Sequence, residues 1–122
     1  MTKKLFYPVF AFVVALSLAV VVSAQGGKTL TGHIVDKKCS GIVLKDGTKA
    51  DNHSGSKGCA VACADAGLGL YHDGKWEEFD AKSTELAKAA LTNASKEKGV
   101  KFKVVGELKE GKLAATEITE VK

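Results

Sequence analysis

All three cysteines of the chain and two of its three histidines fall between His33 and Gly67, and most of that stretch has no secondary-structure period. A segment of this kind constrains the fold more than any hydrophobic pattern does. The elements on either side must form a core without it, and it must be held down by its own side chains. The lead-in is regular: Thr29 to Asp36 alternates, with Leu30, Gly32 and Ile34 on one side and Thr29, Thr31, His33 and Val35 on the other, which predicts a strand. His33 is read as an exposed histidine on the polar face. From Lys37 to Ser56 the pattern fails, and Gly41, Asp46-Gly47, Asp51-Asn52 and Gly55 mark a long loop with room for a short hairpin near Ile42 to Leu44. Ser56 is placed to cap a helix over Lys57 to Ala66, with Gly67 at its exit. On such a helix Cys59, Ala62, Cys63 and Ala66 share one face.

Beyond this stretch the punctuation is clearer. Leu68 to His72 and Lys75 to Phe79 flank Asp73-Gly74, a dipeptide suited to a turn whose two central residues need positive φ. Tyr71 and Trp76 then face each other across the hairpin, and His72 lies on its surface. Ser83 precedes an amphipathic helix, Thr84 to Ser95, with Leu86, Ala87, Ala90, Leu91 and Ala94 as its apolar stripe and Gly99 as a stop. Val100 to Leu108 and Lys112 to Val121 read as two strands joined at Glu110-Gly111, the second slipping phase at a bulge. The expectation is a mainly β fold with two helices. The order of elements suggests an OB-like five-stranded barrel with a Cys/His-bearing loop-helix insertion after strand 1.

The first residues read differently. Lys3 and Lys4 precede an apolar run from Val9 to Val22, shorter than the roughly 20 residues a spanning helix needs, and small residues follow at Val22-Ser23-Ala24. Residues 1–24 are therefore expected to be a cleaved signal peptide, leaving 25–122 as a single domain, exported to the periplasm or secreted, with no stable membrane anchor. The chain has no arginine and a formal net charge of only +4, two of those charges lying in the leader, so nothing favours a nucleic-acid partner.

Chemistry concentrates at Cys39, His53, Cys59 and Cys63. Three thiols and one imidazole suffice for a tetrahedral soft-metal site, and thiolate and imidazole both suit Zn or Cu. An exported protein meets an oxidising compartment, so a disulfide from Cys39 to Cys59 or Cys63 is the competing reading, with the last cysteine buried. A redox-active thiol pair is a third. The odd cysteine count favours the metal site, because a single disulfide leaves one thiol unexplained. A catalytic set of Cys63, His53 and Asp65 has no geometry fixed by its spacing, and no enzyme is expected. Asp36 is read as capping the strand exit or orienting His53.

Gly32-His-Ile-Val-Asp36-Lys-Lys-Cys39, then His53, Cys59-Ala-Val-Ala-Cys63, Asp73-Gly74-Lys75 and Val104-Val105-Gly106 resemble a group of small exported bacterial proteins of unassigned function. The resemblance covers most of the chain after the leader. It implies an OB-like barrel and a shared Cys/His constellation, and it implies no activity. The function expected is a non-enzymatic, exported metal-binding protein with a Cys3His site for Zn or Cu. The alternative is a disulfide-stapled module that contacts an envelope protein or glycan without a metal.

Overall fold

The structure, a computed structural model, describes residues 27–122; the expected signal peptide lies outside them. Five antiparallel strands form one sheet in the order β3-β2-β1-β4-β5. They are β1 (Lys28–Asp36), β2 (Leu68–His72), β3 (Lys75–Glu78), β4 (Lys101–Lys109) and β5 (Lys112–Val121). Three α-helices accompany them: α1 (Ser40–Lys45), α2 (Cys59–Ala62) and α3 (Ala81–Thr92). The mainly β expectation holds, with more and shorter helical pieces than the two expected. The sheet is open, not a closed barrel: β3 and β5 are its edges, and they approach at the end of β3, where Phe79 bridges Leu113, Asp80 N–H donates to the Leu113 carbonyl at 3.1 Å and Glu78 stands 3.9 Å from Lys112 Nζ. Among the described residues no helix is long and apolar enough to cross a membrane.

β1 is the hub because it changes partner midway. Its first half, Lys28 to Gly32, pairs with β4, and its second half, His33 to Asp36, pairs with β2. Gly32 marks the change, and a Cβ there would overlap the Tyr71 carbonyl, so only glycine lets the strands approach. Where β4 has departed, Ser54 takes its place: its Oγ accepts the Ile34 N–H at 3.1 Å and its carbonyl accepts the Val100 N–H at 2.9 Å. The inserted segment thus completes the hydrogen bonding of β1, which is why it lies flat on the sheet.

Two apolar clusters result. The larger sets Ile34, Leu70, Phe102 and Val104 of the sheet beneath Leu91 of α3, with Phe79 at the seam. The smaller, on the other face of β1, joins Val35 to Val43 of α1 and Ala50. The second half of β1 is therefore buried on both sides, and His33, expected to be exposed, is 9% accessible. Its Nδ1–H donates to the Val100 carbonyl at 3.0 Å, while Nε2 stands 3.1 Å from Asp51.

Several local readings need revision. No hairpin forms near Ile42 to Leu44; those residues lie in α1, followed by a 3-10 stretch over Gly47–Asn52 that Asp46 caps through Thr48 N–H at 3.1 Å. The helix expected over Lys57 to Ala66 shrinks to α2 and a 3-10 turn, because Ser56 hydrogen-bonds the Lys96 carbonyl instead of capping. The helix expected over Thr84 to Ser95 starts one turn earlier. Asp80 is its cap, accepting from Ser83 N–H at 2.8 Å, and the Ser83 hydroxyl is spent on β5, accepting Ala115 N–H at 2.7 Å.

His72, expected on the hairpin surface, has a side chain only 10% accessible and 2.7 Å from the Glu77 carboxylate, while other features of the hairpin and of β5 are as expected. Asp73 and Gly74 both have positive φ, of 49° and 76°, and Tyr71 pairs with Trp76. The bulge falls in β5, where Glu117 pairs with Val105 but Ala115 with Gly106, leaving Thr116 as the extra residue. Leu113 and Ala115 on one side of it, and Ile118 on the other, thereby reach the same core.

Hydrogen bonds from Ser83 hold the Asp80 carboxyl below the usual aspartate range. Its ionised form is favoured by folding, so its contribution is full above the ordinary aspartate pKa and is lost as pH falls through the depressed folded value. Asp80→Ala is expected to cost about 1 kcal/mol at neutral pH, and the gap from wild type to close in strong acid. Urea unfolding of both proteins at the two conditions checks this.

Candidate metal centre

The exit of β1 builds the site by a capping interaction. Asp36 has extended backbone, and its Oδ2 accepts the Cys39 N–H at 3.1 Å, fixing a 3-10 turn over Lys37–Cys39. Residues three apart around such a cap are neighbours, so the Asp-x-x-Cys spacing sets the carboxylate beside the thiol. His53 arrives from the opposite side as the last residue of the turn that follows Gly47–Asn52, its N–H donating to the Ala50 carbonyl at 3.1 Å. One ligand atom from each of Asp36, Cys39 and His53 lies within 4.8 Å of the others.

Asp36 is fully buried and His53 is 6% accessible. Asp36 Oδ1 and His53 Nδ1 have no hydrogen-bond partner, and they face each other at 3.8 Å. That distance is too long for a hydrogen bond. It is close to the spacing of two donors on one ion: oxygen and nitrogen each about 2.0–2.1 Å from a tetrahedral zinc stand roughly 3.3 Å apart. A small rotation of either side chain would therefore let both bind the same ion.

The three cysteines are free thiols, Cys39 and Cys63 half-buried and Cys59 exposed. Burial pushes the Cys39 thiol up, the Asp36 carboxylate adds to the effect, and Cys59 and Cys63 contribute further. The start of α2 is held against His53, whose carbonyl accepts the Ala60 N–H at 3.0 Å. Of the four expected ligands, the structure brings Cys39 and His53 together with Asp36, and Cys59 and Cys63 are not in that group.

Comparison with protein families, characterised proteins and solved structures finds no match to this chain. The site must be read from its own residues.

Asp36 is the residue that sequence reasoning placed next to the site but not in it. The Asp-x-x-Cys spacing carried the signal, since a capping carboxylate uses one oxygen and leaves the other free. Asp65, the third member of the catalytic arrangement considered for Cys63 and His53, instead lies 3.8 Å from Lys88 Nζ on α3.

Thiolate is the reactive form of cysteine, so the half-buried Cys39 with its raised pKa is expected to alkylate slowest and exposed Cys59 fastest. Timed iodoacetamide labelling of the reduced protein at mildly alkaline pH, followed by peptide masses, gives the order. Equal rates would contradict the burial of Cys39.

Proposed function

We propose that this is an exported, non-enzymatic protein that binds a soft transition metal, Zn or Cu, at Asp36, Cys39 and His53, with Cys63 of the α2 turn as fourth ligand. The observation that carries the proposal is the pair of buried, unpartnered donor atoms, Asp36 Oδ1 and His53 Nδ1, beside the Cys39 thiol. Burying polar atoms without partners costs roughly 1–3 kcal/mol each, a cost that an ion bridging them removes. Carboxylate, thiolate and imidazole are all competent ligands for zinc, and thiolate with imidazole for copper. Compared with the Cys3His set expected from the sequence, this proposal adds Asp36 and leaves Cys59 outside the resident ligands.

Two wider elements belong to the same reading. The partner switch of β1, the helix between β3 and β4, and the Phe79–Leu113 bridge support an OB-like arrangement of these elements in an open sheet. Export is supported by the leader-like residues 1–24, and kinship with the small exported bacterial proteins by the Asp, Cys, His, Cys, Cys order.

Metal uptake must displace the Cys39 proton, and the raised thiol pKa means that affinity falls as pH falls. The reduced protein is expected to bind one zinc ion in native mass spectra. Asp36→Asn keeps the cap's shape but weakens the ligand, and it should lower zinc affinity about 10–100-fold in competition with a chelator, as should Cys39→Ser and His53→Ala. Unchanged affinity in these variants would sink the site. A mass two hydrogens light with no metal would instead favour the disulfide-stapled module.

A further inference from the structure

Asp36 together with the four residues expected as ligands, Cys39, His53, Cys59 and Cys63, makes five donors, where a tetrahedral ion takes four. The surplus has a consistent layout. Asp36 and His53 are buried, Cys39 and Cys63 are half-buried, and Cys59 alone is exposed. Cys59 and Cys63 stand one turn apart, the Cys63 N–H donating to the Cys59 carbonyl at 2.9 Å. The start of α2 is pressed on His53: a Cβ added at Gly58 would lie 2.6 Å from the His53 carbonyl oxygen. Cys59 therefore lies between two residues, Gly58 and Ala60, whose backbones meet the His53 carbonyl, and it is the exposed thiol nearest in sequence to that contact.

We infer that Cys59 is an exchange thiol, which takes hold of the ion as it enters or leaves and passes it to or from a dithiol acceptor. This rests on the metal-site reading above and adds transfer to it. The step is ligand exchange without electron transfer. As Cys59 bonds the ion it gives its proton to solvent, and the weaker bond to Asp36 oxygen breaks. As a dithiol acceptor takes the ion, its two thiols give up their protons and bond the metal, the bonds to His53, Cys39, Cys63 and finally Cys59 break, and the freed thiolates recover protons from solvent. Asp36 is suited to let go first, because a carboxylate is the hardest ligand of the set for a soft ion. Thiols on one helical turn beside a buried ligand shell give the ion a stepwise path, in which no intermediate loses most of its ligands.

The test uses zinc-loaded, reduced protein mixed with excess 2,3-dimercaptopropanol, with zinc transfer followed in time. Cys59→Ser is expected to keep one zinc and its equilibrium affinity but to transfer it about tenfold more slowly or worse, a change in barrier and not in binding. Cys59→His, which restores a ligand, should recover part of the rate. Cys63→Ser should instead lower equilibrium affinity. Transfer from Cys59→Ser at the wild-type rate would overturn the inference, and so would loss of its zinc, which would make Cys59 a resident ligand. A wild-type protein that binds no zinc fails the underlying site reading separately, before any rate is measured.

Discussion

A buried carboxylate oxygen and a buried imidazole nitrogen face each other at 3.8 Å, and neither has a hydrogen-bond partner. Polar atoms removed from water at this separation are a net cost, so the surrounding structure must be firm enough to hold them there. The rest of the segment is arranged to do so. Asp36 is anchored through its second oxygen to Cys39 N–H, and His53 through its backbone at both ends, to Ala50 and Ala60. The Asp36 carboxylate cannot swing away without losing its bond to Cys39 N–H, and the His53 backbone cannot shift without losing its bonds to Ala50 and Ala60.

The sheet supplies the rigidity. β1 binds β4 with its first half and β2 with its second, and the edge that β4 vacates is filled by Ser54, one residue after His53. Asp36 and His53 are therefore tied together by the bond from Ile34, two residues before Asp36, to the hydroxyl of Ser54, the neighbour of His53. A second crossing lies alongside, where His33 of β1 meets Asp51 of the insertion. Two His–Asp pairs, with the partners exchanged between strand and insertion, tie the segment to the strand. Only the Asp36–His53 pair has unsatisfied atoms, which separates a site from a fastening.

Much of the scaffold was legible because it follows local rules. The Asp73-Gly74 turn, the β5 bulge and the amphipathic stripe of α3 each express a constraint on φ or on side-chain period within a few residues. Three of the misreadings have one cause in common, which is that a side chain found its partner far along the chain. Ser56 bonds Lys96, Ser83 bonds Ala115, and His33 bonds Val100, so two expected caps and one expected surface histidine were taken up by tertiary contacts. His33 in particular was assigned to solvent by alternation, but the insertion folds over that face and buries Val35 with it. Of the site, Cys39 and His53 were legible as ligand types. Asp36 was legible only as a cap or an orienting group, although the Asp-x-x-Cys spacing that makes it a cap also leaves its second oxygen free.

The most direct measurement is the anomalous diffraction of a zinc-soaked crystal of the reduced protein, recorded at the zinc absorption edge. The account predicts one peak between Asp36, Cys39 and His53, about 2.0–2.3 Å from their ligand atoms. A zinc ion found elsewhere, or an Asp36–His53 pair closed to a direct hydrogen bond with no ion between, would contradict it.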